Sequence, residues 1–168
     1  MAVWACGVVM GGTLWMLLQP AQLFGRAPVA AGIVAASADQ VAVVDGETLR
    51  LQETVVRLIG VAAPGRGQVC HRGDGTAFDC GAASAESLAH LVAGHNVSCR
   101  LLAHDEGERT LAICEADGRG LNQAQVIGGW ARARAEKPGL AGPRLDSDET
   151  EARARHRGLW AGLFDPKS

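Results

Sequence analysis

A mainly-β domain of the α+β class is what this sequence predicts, and three observations carry that reading. The stretch 41–65, VAVVDGETLRLQETVVRLIGVAAPG, holds three short runs rich in β-branched and aliphatic residues. Two further runs of the same kind, Val97–Leu102 and Thr110–Glu115, flank the polar turn His104–Glu108. Helical patterns fall in three places after the first strands: about Ala82–Ala93, from Asn122, and from Asp146 or Ser147. Five strands with about three helices inserted and appended is the order expected of an OB-type barrel.

The chain opens differently. Met1–Leu18 carries no charged side chain, and Trp4, Val8, Val9, Leu14, Trp15, Leu17 and Leu18 make it a continuous apolar segment, read as an N-terminal apolar helix. Residues 1–20 are therefore expected to be a signal peptide or a membrane anchor, with membrane contact through 1–18 if uncleaved. Ala36-Ser37-Ala38 offers a small-x-small cleavage site. The Ala/Gly/Pro-rich stretch 21–38 reads as a flexible linker, and 39–165 as the folded domain. The expected location is exported, either periplasmic or extracellular, or anchored at the membrane.

Within the domain, Val41–Val44, Thr48–Leu51 and Thr54–Ile59 form a meander, with Asp45-Gly46 as a tight hairpin whose glycine accepts positive φ. Val41, Val43, Leu49, Leu51, Val56 and Leu58 recur at period two, so one face is apolar while Arg50 and Arg57 point away from it. A Gly/Arg/Asp-rich loop, Ala62–Cys80, leads into the first helix, with Ala85, Leu88, Leu91 and Val92 on one face and Gly94 as its stop. After the second hairpin, Asp117-Gly118 turns the chain into the short helix that carries Ala124, Val126 and Ile127 towards Gly128-Gly129. Trp130 reads as a core anchor, Lys137–Pro143 as a loop, and the last helix runs through Arg157 to Gly158. Leu159, Trp160, Leu163 and Phe164 then form a terminal apolar patch.

Of five cysteines, Cys6 lies in the leader. Cys99 and Cys114 sit on the two strands of one predicted hairpin, so antiparallel pairing brings their sulfurs together. Cys70 and Cys80 then close the loop between them. No C-x-x-C pair occurs, so disulfides are expected rather than zinc.

Formal charge is −2, and because Arg26 is the only charged side chain before Asp39, the stretch from Asp39 onward carries 15 basic residues against 18 acidic ones, or −3. Phosphate neutralisation favours a strongly basic chain, so nucleic-acid contact here has only a local patch to rest on. Arg132, Arg134, Arg144, Arg153, Arg155 and Arg157 are interleaved with Glu136, Asp146, Asp148, Glu149 and Glu151, which reads as a solvated, self-compensating surface.

VVDGETLRL and VRLIGVAAPG resemble the opening motifs of the staphylococcal nuclease (thermonuclease) family, which read V-x-DGDT and V-R-L-x-G-x-DAPE. ERTLAICEADGRGLNQAQVIGGWARA at Glu108–Ala133 is similar to its later strand, LN-helix and GWA segments, and ARARHRGLWAGLF at Ala152–Phe164 to its terminal motif. The resemblance implies an OB-type fold and, in active members, a calcium-dependent phosphodiesterase acting on DNA and RNA. There carboxylates hold a hard cation, two arginines neutralise the scissile phosphate and a further carboxylate activates water. Carried over by motif, the arginines are Arg57 and Arg109, and the first metal carboxylate falls on Glu47. The second metal carboxylate falls on Ala62 and the proposed base on Gly65, neither of which has a side-chain oxygen. The family's nucleotide-side tyrosines have no counterpart in a chain without Tyr, and its basic-aromatic pair falls on Glu106-Gly107.

Two functions follow as expectations. One is an exported binding or structural module with a degenerate site and no cofactor, in which Arg57 pairs with Glu47, and Arg109 with Glu106 or Glu108. Asp45 then serves its turn, and the phosphate or nucleic-acid partner is only weakly supported. The other is a calcium-dependent nuclease with a weak or rebuilt site, in which His71, Asp74 and Asp79 are the candidate replacement ligands or bases.

Overall fold

The computed structural model describes residues 32–105, 107, 109–136, 140 and 142–161. The leader with its expected apolar helix, Glu106, Glu108, Leu163 and Phe164 lie outside the described residues. Among the described residues, no helix is long and apolar enough to cross a membrane.

The expected meander is present as β2 (Val41–Val43), β3 (Thr48–Leu51) and β4 (Thr54–Leu58), paired antiparallel. A strand precedes it: β1 (Ile33–Ala36) lies at the end of the stretch read as linker. After β4 come β5 (Val61–Ala62), then β6 (Val69–His71) and β7 (Ala77–Asp79), a hairpin inside the stretch read as a loop. Helix α1 (Cys80–Val92) follows, capped by Asp79, whose Oδ1 accepts from the Ala82 N–H at 2.7 Å. The second hairpin is β8 (Val97–His104) and β9 (Thr110–Ala116), continued by β10 (Arg119–Gly120), α2 (Leu121–Ile127), β11 (Arg132–Ala133) and α3 (Asp146–Ala154).

The main sheet runs β1-β8-β9-β4-β3-β2, with β10 on β9 and a parallel β4–β9 pair, while β11 pairs with β5. This corrects the simple five-stranded barrel. The path starts and ends on β1 and β2, which are consecutive in the chain and joined by the 3-10 turn Ala38–Gln40, but among the described residues no backbone ladder closes it. Gln52 bridges the gap instead, its N–H donating to the Gln40 carbonyl at 2.9 Å and its amide to the Ala35 carbonyl at 3.4 Å.

The period-two residues Leu49, Leu51, Val56 and Leu58 are fully buried, together with Cys99, Ala112 and Cys114 of the second hairpin. Leu88 of α1 and Leu121 and Val126 of α2 close that core. Burying each such aliphatic side chain is worth about 1.5–3 kcal/mol over leaving it exposed. Cys99 and Cys114 are directly opposite across β8–β9 and form a disulfide; Cys70–Cys80 forms another, tying the β6–β7 hairpin to α1. Around the latter lies a second small core of Cys70, Cys80 and Leu159, with Phe78 and half-buried Trp130 against it. Two disulfides suit an oxidising compartment.

Three local expectations are corrected. Gly46 does not have positive φ; glycine is needed there because a Cβ would stand 2.0 Å from the Ser84 hydroxyl oxygen, so the turn is pressed onto α1. Helix α3 begins at Asp146 after Leu145 with no side-chain cap, and its acidic first turn answers the positive helix end instead. It ends at Ala154 rather than Arg157 because His156 turns left-handed (φ 50°).

Candidate functional site

The β3–β4 hairpin sets Thr48 opposite Arg57, which brings the neighbouring Glu47 beside the arginine. The turn before it is fixed twice: Asp45 Oδ1 accepts from the Glu47 N–H at 2.9 Å, and the Gln125 amide donates to the Gly46 carbonyl at 2.9 Å. Gln125 is itself fully buried, bonded also to the Ser84 carbonyl and accepting from the Ser87 hydroxyl. Asn122, one turn earlier on α2, donates to the carbonyls of Ile59 and Ala112 and so fixes the end of β4 against β9.

Arg57 does lie on the face opposite the aliphatic core, as its alternation requires, but it is only 2% exposed. Three carboxylates surround it. Glu47 Oε1 stands 3.6 Å from Nη1, Asp105 Oδ2 3.3 Å from Nε, and Glu136 Oε1 3.6 Å from Nη2. Each carboxylate is also held by main-chain N–H groups: Glu47 by Ala63 at 3.0 Å, Glu136 by Gly60 at 2.9 Å, and Asp105 by Gly107 and Arg109 at 2.9 and 3.0 Å. The Nη1 group donates weakly to the Val61 carbonyl at 3.5 Å, while Nε, despite its proximity to Asp105, makes no hydrogen bond. The arrangement is charge compensation from three separate chain segments rather than one tight bidentate pair.

Arg109 reaches the same cleft with its guanidinium turned onto Asp105, with Nε and Nη2 both at 2.8 Å. The partners expected for it, Glu106 and Glu108, lie outside the described residues. Burial pushes the Asp105 carboxyl up, but the Arg109 N–H and guanidinium and the Gly107 N–H outweigh it, so its pKa is held below the ordinary value. The cleft above encloses about 300 Å³ and is bordered by His104, Arg134, Leu111 and Leu140. Leu111 is the β9 partner of Arg57, so one aliphatic side chain floors the cleft beside the guanidinium. A larger, more open groove of about 490 Å³ runs between Ala35–Ser37 and the Asp117 turn, but its acids are engaged, Glu115 by Ser98 and Asp117 by His95.

The motif positions without side-chain oxygens are structural. Ala62 pairs with Arg132 in the β5–β11 ladder, and the Gly65 N–H donates to Gln68 Oε1 at 3.1 Å. His71, Asp74 and Asp79 belong to the β6–β7 hairpin, where Asp74 caps its own turn through the Thr76 N–H and Asp79 caps α1. Among the described residues, no group of three His, Cys, Asp or Glu is spaced to hold a metal ion. The residues sequence reasoning missed are Asp105, Glu136 and Arg134. The available signal was the alternation Arg132-x-Arg134-x-Glu136 running out of β11, and the D-x-G turn at Asp105.

The motif order, the disulfide-tied β-rich fold and the arginine cleft agree with a comparison of the whole chain. A family model described as staphylococcal nuclease homologue matches residues 55–162, well over half of the 168 residues. The chain belongs to the staphylococcal nuclease family. Among curated proteins, this nuclease-family chain is 32% identical over 124 residues to the succinoglycan biosynthesis protein ExoI of Rhizobium meliloti (strain 1021). The match covers 72% of the chain and 63% of that relative, so the chain spans less than two thirds of the relative's length. The DGET turn, Glu47 and the start of the meander lie ahead of the matched family span, while Arg57 and Arg109 lie inside it.

Proposed function

We propose that this staphylococcal-nuclease-fold protein is an exported module that binds or scaffolds and does not hydrolyse phosphodiesters. The observation that carries the reading is the enclosure of Arg57 at 2% exposure among Glu47, Asp105 and Glu136. An arginine that neutralises a scissile phosphate must present free donors to it, and these donors already face carboxylates. The donor set does not fit a calcium ion. Glu47 has one oxygen on the Ala63 N–H and the other beside Arg57, and Ala62 and Gly65 add no side-chain oxygen. A hard cation takes six to eight oxygens.

The two disulfides support export into an oxidising space, as does the apolar opening of the sequence. The rhizobial relative's name attaches that protein to succinoglycan biosynthesis. A non-hydrolytic role beside such a biosynthesis agrees with an Arg57 whose donors already face the chain's own carboxylates. The test is calorimetric calcium titration of the full chain, followed by digestion of single-stranded DNA on the same sample. The reading expects no heat and no cleavage. Calcium-dependent cleavage that disappears in Arg57→Ala overturns it in favour of a nuclease with a rebuilt site.

A further inference from the structure

Glu136 differs from the other two carboxylates on Arg57 in where it comes from. Glu47 and Asp105 are placed by hairpins of the main sheet, Glu47 directly preceding β3 and Asp105 directly following β8. Glu136 arrives on the short stretch 134–136 that leaves β11, a two-residue strand paired only with the two-residue β5. Among the described residues, two polar contacts hold it: the Gly60 N–H at 2.9 Å and Arg57 Nη2 at 3.6 Å. The Arg134 N–H donating to the Gly60 carbonyl at 2.8 Å completes a clasp between this stretch and the turn after β4.

We propose that Glu136 is an internal anion that lines the cleft beside Arg57 and thereby decides what the cleft accepts. Removing its charge turns the cleft into a receptor for a small oxyanion. The reasoning is electrostatic. With Glu136 in place, three carboxylates face Arg57, and one of them, Asp105, is shared with Arg109, so an anion arriving beside Arg57 finds its charge already compensated and meets a carboxylate at contact distance. Without that charge, the cleft has one uncompensated cation behind walls only partly open to water, where charge-assisted hydrogen bonds are strongest. The Gly60 N–H, freed of the carboxylate, adds a main-chain donor beside the guanidinium. The clasp is an autoinhibitory contact built from this chain's own residues. It extends the binding reading above and is independent of whether the protein cleaves DNA.

Pyrophosphate is the probe, titrated into the full chain by calorimetry, with backbone amide NMR to locate it. Glu136→Gln keeps an oxygen for the Gly60 N–H while removing the charge, and Glu136→Ala removes both. Both variants are expected to bind pyrophosphate at least about tenfold more tightly than wild type, with the Gly60 and Val61 amides shifting on titration. In wild type, loss of hydrogen-exchange protection at the Gly60 amide under high pyrophosphate reports displacement of the clasp. Equal affinity in wild type and Glu136→Gln, absence of binding in both, or shifts away from Gly60 overturns the proposal. Metal-dependent cleavage by wild type overturns the non-hydrolytic reading without touching this one.

Discussion

Gln125 and Gly46, 79 residues apart, are joined by a hydrogen bond of 2.9 Å from the Gln125 amide to the Gly46 carbonyl. Helix α2 therefore grips the turn that presents Glu47 to Arg57. The amide is satisfied on all sides, since it also donates to the Ser84 carbonyl at 3.0 Å and its oxygen accepts from the Ser87 hydroxyl at 2.8 Å. A polar residue this deeply buried is tolerable only when so bonded.

Gln125→Leu keeps much of the volume and strands those partners. It is expected to destabilise the fold by about 2–3 kcal/mol, through the desolvation cost of unpaired buried groups. Urea unfolding checks this: the midpoint falls while the slope stays constant. A change below about 0.5 kcal/mol means water or rearrangement replaces the amide.

Arg57→Met leaves Glu47, Asp105 and Glu136 facing one another without their shared cation. A loss of about 3–5 kcal/mol is expected, the usual cost of breaking a buried ion cluster by removing one partner. Adding Glu136→Gln to Arg57→Met recovers part of that loss, because one of the three stranded charges disappears. Strict additivity of the two changes in equilibrium unfolding contradicts the coupling.

Asp105 gives the site a pH signature. Its folded-state pKa lies below its ordinary 3.8, so between the two values the unfolded chain binds more protons than the folded one. Stability from this group is therefore complete above the ordinary value and is lost as pH falls through the folded one. Asp105→Asn, which still accepts from the Gly107 and Arg109 N–H groups, is expected to flatten that part of the acid limb. Urea midpoints compared between about pH 5 and pH 2 read it directly.

The two disulfides should separate in their effects. Cys99 and Cys114 enclose a 15-residue separation between core strands, and replacing both by Ala is expected to cost about 3 kcal/mol of global stability. Cys70–Cys80 closes only 10 residues and ties one hairpin to α1, so its loss is expected to show as faster proteolysis within 70–80 and a smaller shift of the thermal midpoint.

Much of the fold was legible because its signals are local. Alternation at Leu49, Leu51, Val56 and Leu58 predicted the buried face, and the spacing of Cys99 and Cys114 about a polar turn predicted their pairing. Helix α1 was legible from its apolar periodicity and the stop at Gly94. Strand β1 and the β6–β7 hairpin were not, since Ile33–Ala36 becomes a strand only by pairing with β8, and the hairpin's strands are three residues each. Turn chemistry also misled: Asp45-Gly46 has the composition of a positive-φ turn, yet the glycine is there because Ser84 leaves no room for a side chain.

By itself, the sequence determined that Arg57 sits on the face opposite the aliphatic core, beside Glu47, in a motif whose Ala62 and Gly65 offer no side-chain oxygen. Alternation along a strand and identity at a motif position are properties of neighbouring residues, and they survive any tertiary arrangement. Only the tertiary structure decided that Arg57 is enclosed. Asp105 and Glu136 come 48 and 79 residues later, on a hairpin turn and on the exit from β11, and nothing local marks either as its partner. Electrostatic energy depends on distance through space, and the folded sheet brings those charges within 4 Å.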